Sequence, residues 1–396
     1  MICIECLNID FNRMLLLAVG LWPYQRSKLA RFQIILLLTI LTSFVIFQIT
    51  AFLTLKFTAD LVINVSSSVL LYTIFVIKYS WFHSNIEVVK CFLEQLQNIY
   101  NELTDANEIN IIKKYNSDIK RCTIGLMLSV ILPLPAPILY QFCPNFFDIL
   151  LFINESRRFP LKKIIVTEYF IDQKKYYYLI LLHANVALFI GLVTIIATGM
   201  ILIVYQQFAC GMFRIASYRI ERAMTVDILR KDSLRNKNWT YKKLIRAVNM
   251  HREAIKLSNS SLRRFKIMFF FVVIIMVIGG SLNLFRIFQA LSLKCNFEEF
   301  LFPLISMAVY IIYIFIACYI GQQIMDHNID VFAAAYNIQW YTASSNVQKM
   351  ILFLLQRSTK IYNLNIAGLI VGSFENGAGL LSTTISYFTV LYSTRV

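Results

Sequence analysis

Charge is scarce in this chain. Asp, Glu, Lys and Arg make up 15% of its residues, against about 25% in a soluble domain. With 58% hydrophobic residues and a mean hydropathy of +0.63, a set of solvent-facing globular domains is excluded. The chemistry of common enzymes is missing as well. There is no P-loop, no G-x-G-x-x-G and no G-x-S-x-G. The four histidines, at 83, 183, 251 and 327, form no metal-binding spacing. No pair of acids lies within an apolar block, so intramembrane proton chemistry has no carrier. No internal repeat suggests a two-half transporter. No small-residue cleavage site follows the first apolar run, Met14–Trp22, so no secretory signal peptide is expected. These absences predict a protein that is not an enzyme and needs neither cofactor nor metal.

What is present comes in long apolar blocks, and a helix that crosses a bilayer needs about 20 such residues. Phe32–Leu55, Leu61–Ile77, Cys122–Phe147, Tyr176–Phe213, Ile267–Phe285 and Phe300–Met325 carry no Asp, Glu, Lys or Arg. Asn376–Thr394 is a weaker seventh block with several hydroxyls. The expected fold is all-α, a polytopic membrane protein of seven spans. The fourth block exceeds what a bilayer needs, and its end at Tyr205-Gln206-Gln207 predicts a helix that runs on into the cytoplasm. Pro133, Pro135 and Pro137 interrupt the third block. They read equally well as a structural kink or as a pocket wall.

Orientation follows from Lys and Arg. With the N-terminus in the cytoplasm, the cytoplasmic segments 1–31, 78–121, 214–266 and 326–374 hold 28 of the 38 basic residues. The segments outside, 56–60, 148–175, 286–299 and 395–396, hold the other 10. The positive-inside rule therefore sets the N-terminus inside and the C-terminus outside. The net charge of +16 is read as loops facing anionic lipid, with no nucleic-acid partner. A G-protein-coupled receptor has the opposite orientation, and the chain also lacks Asp-Arg-Tyr and Asn-Pro-x-x-Tyr. At the outer side, Cys143 and Cys295 are either a disulfide or two buried thiols, and Asn154 opens an Asn-Glu-Ser glycosylation site. His183, in the outer part of the fourth span, is either a hydrogen-bonded interfacial histidine or a ligand contact.

The division expected along the chain is a cytoplasmic segment at 1–31, then six spans with their loops over 32–325. Cytoplasmic helical extensions are expected at 78–121 and 206–266, and an outer loop at 148–175. Cytoplasmic helices over 326–374 precede a seventh span at 375–396. The 326–374 region carries aromatic and aliphatic positions, Tyr336, Trp340 and Tyr341 among them, that no span would bury. A cytoplasmic bundle would cover them, either within one subunit or between subunits. On the seventh span, Asn376, Gly379, Thr383, Ser386, Val390 and Ser393 share one helical face. Such a stripe either lines water around an axis, with Val390 as an apolar constriction, or packs against neighbouring helices.

At these residues the chain resembles the insect odorant receptor family. Ala335-Tyr336-x-x-x-Trp340-Tyr341, Lys349-x-x-Leu352, Ala367-Gly368 and Ser386-Tyr387-Phe388-Thr389-Val390-Leu391 are similar to that family's C-terminal signature. The last hexapeptide resembles receptors of ants, bees and wasps. The resemblance implies a tetrameric, ligand-gated, non-selective cation channel in the plasma membrane of a sensory neuron dendrite. This chain would be a tuning subunit paired with the odorant co-receptor, because it lacks the co-receptor's long insertion in the second cytoplasmic loop. A volatile ligand would bind among spans two, three, four and six. By the same resemblance the pocket would comprise Val69, Tyr72 and Thr73, then Ser129, Leu132 and Ala136, then His183, Val186 and Ile190, and finally Tyr310 and Tyr313. The pore face would comprise Thr383, Ser386, Val390 as gate, Ser393 and Thr394. The last two stand where the co-receptor type has a glutamine and a leucine. A gustatory receptor of the same fold is the alternative.

Overall fold

The computed structural model describes residues 10–25, 27–131, 165–173, 175–229, 234–292, 297–358, 365–366 and 370–394. Nearly all of them are helical. α1 (Asp10–Ala18), α2 (Lys28–Ile49), the single turn α3 (Ala51–Thr54) and α4 (Ala59–Ser84) come first. α5 (Ile86–Asn101), α6 (Ala106–Ile131), α7 (Tyr177–Leu229), α8 (Leu234–Ser292) and α9 (Phe297–Asn337) follow. After a short 3₁₀ turn at Trp340–Thr342 come α10 (Ser345–Ser358) and α11 (Phe374–Ser393). The exception to an all-α chain is a small antiparallel hairpin, β1 (Asn365–Ile366) with β2 (Ile370–Val371), in which Asn365 faces Val371. It sits just ahead of α11.

Helix starts are written into the sequence. Ser27 caps α2 by accepting from the Ala30 amide at 3.0 Å, and Thr58 caps α4 through the Leu61 amide at 3.2 Å. Each satisfies a backbone donor that the first turn leaves open. α1 is amphipathic: Leu15 and Leu16 are buried, and Met14 is exposed. A left-handed Gly20 (φ +73°) then turns the chain into α2, and Tyr79 of α4 donates to the Val19 carbonyl at 2.8 Å to hold that turn.

Among the described residues, five helices are long and apolar enough to cross a membrane: 28–54, 59–84, 177–224, 239–292 and 300–337. The protein is thus an all-α polytopic membrane protein. α6 carries the start of the third span up to Ile131. Pro133, Pro135 and Pro137, Cys143, Cys295 and Asn154 lie outside the described residues. α11, with its hydroxyls, occupies the place of the expected seventh span but is not among these five.

The long helices organise everything else. At 1.5 Å per residue α7 is about 80 Å long and α8 about 88 Å, well beyond a bilayer core of roughly 30 Å. Both therefore continue from the membrane into the cytoplasmic end, where they pack on α6 and α9. The core follows them without a break. Tyr72, Phe75, Tyr79 and Phe82 of α4 pack with Tyr205, Phe208 and Phe213 of α7 and with Phe265 of α8. At the inner membrane boundary Phe82 stacks on Phe265 with ring centres 5.1 Å apart, and Phe92 lies 4.4 Å from Tyr205.

Candidate ligand cavities and pore helix

Two cavities lie end to end along α7 and α9. The outer one, about 70 Å³, is walled by α4, α7 and α9 and roofed by the loop at 165–173. Leu71 and Tyr72 face it from α4, Leu181, Ala184 and Leu188 from α7, and Phe302, Ser306 and Val309 from α9. The loop is clipped to the top of α2. Its Glu168 amide donates to the Phe47 carbonyl at 2.8 Å, and the Thr50 hydroxyl donates to the Glu168 carbonyl at 2.8 Å. Ile165 and Thr167 thereby become the roof. The cavity is apolar with few polar groups, as small-molecule sites generally are. The Tyr72 hydroxyl at its edge is buried with no hydrogen-bond partner among the described residues.

The inner cavity, about 170 Å³, lies between α7, α8 and α9 and is lined from Leu192 to Gln206, from Ser261 to Val273 and from Val309 to Gly321. Leu192 and Val309 border both cavities.

The residues read as ligand contacts distribute unevenly. Tyr72 lines the outer cavity and Tyr313 the inner one. Tyr310 is 2% exposed and turns its hydroxyl towards α8, where Gly279 leaves it room. That hydroxyl too has no hydrogen-bond partner among the described residues. The Tyr313 hydroxyl accepts from the ammonium of Lys78 at 3.1 Å, and the same ammonium sits 4.4 Å from the Tyr313 ring centre. Lys78 is fully buried. The apparent start of a cytoplasmic loop is thus a cation inside the bundle, held by one hydroxyl and one aromatic face.

His183 is not a lining residue. Its Nδ1 lies 2.8 Å from the Tyr169 hydroxyl, and its Nε2 is 3.2 Å from Ser43 Oγ and 3.3 Å from the Ile40 carbonyl. A carbonyl can only accept, so Nε2 carries the proton and Nδ1 accepts from Tyr169. The ring ties α7 to α2 and to the outer loop. Val69 and Thr73 are half-buried on α4, and the Thr73 hydroxyl is spent on the Val69 carbonyl at 2.7 Å. Val186 and Ile190 pack into the core of α7. Neither these four nor His183 lines either cavity. Ser129 lies on α6, and Leu132 and Ala136 lie outside the described residues. Sequence reasoning missed Ala184, Leu188, Phe302 and Ser306. They sit on the expected helices, at a different rotation on α7 and one to two turns further out on α9.

α11 begins at Ser373, whose hydroxyl accepts from the Asn376 amide at 3.3 Å and from its side-chain amide at 2.8 Å. Its first turn is pressed onto α9: a Cβ on Gly321 would lie 2.1 Å from the Gly372 carbonyl oxygen. Only glycine permits that approach. Further out, Thr384 is buried against Gly280 of α8, and Phe288 meets Tyr392 with ring centres 4.9 Å apart. The opposite side is open. Thr383, Ser386, Ser393 and Thr394 are exposed, and Val390 is 58% exposed among them. Their hydroxyls fold back onto carbonyls of the same helix at 2.8–3.0 Å, so that face is polar yet self-satisfied.

A family model described as 7tm Odorant receptor matches residues 58–375. The chain belongs to that family. Solved structures agree with the fold of this odorant receptor. The insect olfactory receptor OR5 from Machilis hrabei in complex with eugenol superposes with a TM-score of 0.76 at 15% identity. That match covers 98% of this chain and 97% of the other. A second structure of OR5 from Machilis hrabei gives 0.73 at 14% identity, covering 97% of each. No curated protein matches the receptor by sequence.

The receptor's cytoplasmic end is bonded differently from its membrane part. Arg219 grips Glu108 with two bonds of 2.6 and 2.7 Å, and Arg222 pairs with Asp105. His251 lies 2.9 Å from the Asn328 side-chain oxygen, and Tyr115 is bonded to His327. Burial holds the His251 imidazole below its ordinary pKa, with the nearby Arg357 acting in the same direction and the Asn328 bond opposing. Tyr336 and Tyr341 are 61% and 65% exposed, and Trp340 is half-buried. On α10, Val347, Ile351 and Leu354 face inward while Leu352 and Phe353 stay exposed.

Proposed function

We propose that this odorant receptor is the tuning subunit of a ligand-gated, non-selective cation channel. The observation that carries the reading is the outward face of α11, where exposed hydroxyls flank Val390. A lipid-facing helix has no use for such a face. Several copies around an axis would turn it into a water-lined wall with an apolar ring at Val390. The exposed Tyr336, Tyr341, Leu352 and Phe353 suit contacts with neighbouring subunits, among them the odorant co-receptor. The outer cavity takes the ligand, a small volatile with an apolar body. Eugenol, bound by OR5 from Machilis hrabei, is a molecule of this class. A ligand that fits the open arrangement better shifts the population towards it. Since α9 runs from the outer cavity to the Gly321–Gly372 contact, it carries the change to the pore helix. The site of action is the plasma membrane of a sensory dendrite.

The test is expression with and without the odorant co-receptor under voltage clamp, with a panel of volatiles. Current should require both subunits and an odorant. Val390→Ser should raise the basal leak; unchanged leak and ion selectivity would remove Val390 from the gate.

A further inference from the structure

We propose that the inner cavity holds one acyl chain of an anionic phospholipid from the cytoplasmic leaflet. Its shape carries the argument. The stretch from Leu192 to Gln206 on α7 rises about 21 Å along the helix axis. That is a leaflet's depth and somewhat more, given a hydrocarbon core of roughly 30 Å. A volume of about 170 Å³ spread over that length is a narrow slot suited to a chain.

The lining excludes water. Its polar members are few, and Gln206 and Ser261 at the cytoplasmic end are already bonded to each other at 2.6 Å. Ser258 closes that group by donating to Gln206 Oε1 at 2.7 Å. A buried water needs two to four polar partners, and the upper part of the slot offers it Tyr313, whose hydroxyl is engaged by Lys78. One flank opens sideways: Ile195, Gly199 and Leu202 are half-buried. No side chain lies within 4 Å of where a Cβ on Gly199 would project.

Charge complements the apolar slot at its mouth. Arg263, Arg264 and Lys266 are exposed on α8 in the two turns that follow Ser261, at the depth of an inner-leaflet headgroup. A chain in the slot would back α9 along the turns that end at Gly321, against which the Gly372 backbone is pressed. The lipid thus becomes part of the wall behind the joint between α9 and α11. The assignment is independent of the channel reading.

The test uses the full chain in nanodiscs of phosphatidylcholine doped with phosphatidylserine bearing a diazirine on its palmitoyl chain. Photolysis and peptide mapping should place cross-links on residues 195–203 and 312–320, above the level on the exposed Ile35–Leu36 stripe of α2. Gly199→Phe fills the slot and should reduce groove labelling to the level of that stripe while leaving the α2 signal intact. Ala317→Phe blocks it from the opposite wall and serves if the first variant does not fold. Arg263→Gln with Arg264→Gln should lower the preference for serine over choline headgroups by roughly fivefold per arginine. Groove labelling equal to that on α2 and indifferent to Gly199→Phe would reduce the slot to ordinary lipid-facing wall. Labelling cleared by eugenol in the presence of excess lipid would make it a small-ligand site. Either result overturns the proposal.

Discussion

The outer membrane half and the cytoplasmic bundle differ in how their central polar side chains are bonded. In the cytoplasmic bundle, Glu108 is matched by Arg219, His251 by Asn328, and Gln206 by Ser258 and Ser261. In the outer half, the hydroxyls of Tyr72 and Tyr310 are buried without hydrogen-bond partners among the described residues. The driving forces differ too. Apolar burial below the membrane removes surface from water at about 25 cal/mol per Å². Within the bilayer, lipid tails are as apolar as leucine and helix association relies on packing. Charge-assisted and side-chain bonds such as these fix one arrangement of helices. At the outer cavity the Tyr72 hydroxyl leaves bonding capacity for something that is not protein. On the proposed reading, the comparison separates a region that holds a shape from one that takes the ligand.

The strongest way to break this contrast is at the bundle. Arg219→Ala strands the Glu108 carboxylate, 8% exposed as a side chain, and losing one partner of a buried pair costs roughly 3–5 kcal/mol. The purified subunit should lose thermal stability, and the double variant with Glu108→Gln should recover much of the loss. Equal damage in both would show that the pair is not the cause. Next in size is Ala184→Phe, which occupies the outer cavity. Odorant potency should fall tenfold or more, about 1.4 kcal/mol, with surface expression retained; unaltered dose–response curves across a panel would place the ligand elsewhere.

The smallest effect expected is a pH dependence at His251. Its folded pKa lies below the ordinary 6.5, so the unfolded chain binds the proton more readily. Stability is therefore complete above that value and is lost as pH falls below it. Melting curves between pH 7.5 and pH 5 (ordinary working conditions, about one unit either side of a free histidine) should show this decline, and His251→Gln should flatten it. A slope unchanged by the substitution would assign the effect to other groups.

The sequence made much of the fold legible because apolar runs longer than a bilayer needs have few other uses. The cytoplasmic continuation of α7 was readable from Tyr205-Gln206-Gln207 for the same reason. The pocket was readable only in part. A helix that is apolar all round carries no stripe to say which way it faces. His183, Val186 and Ile190 lie on the helix that lines the outer cavity, at a rotation different from that of Leu181, Ala184 and Leu188. Lys78 was hidden for another reason. A lysine at the end of an apolar run looks like the start of a loop, and only the placement of Tyr313 five turns from the start of another helix reveals it as buried. The face of α11 was legible because its hydroxyls do mark a side.

α9 has a bearing on how such receptors diversify. One unbroken helix, Phe297–Asn337, meets the outer cavity at Phe302 and Ser306, the buried Lys78 at Tyr313, the joint with α11 at Gly321 and the exposed aromatic Tyr336 at its end. Demands that other proteins scatter over separate domains are strung here along a single rod. If the outer cavity takes the odorant as proposed, preference can drift in its first turns while the lower ones stay fixed by the geometry of a glycine contact. New specificities then arise without renegotiating assembly.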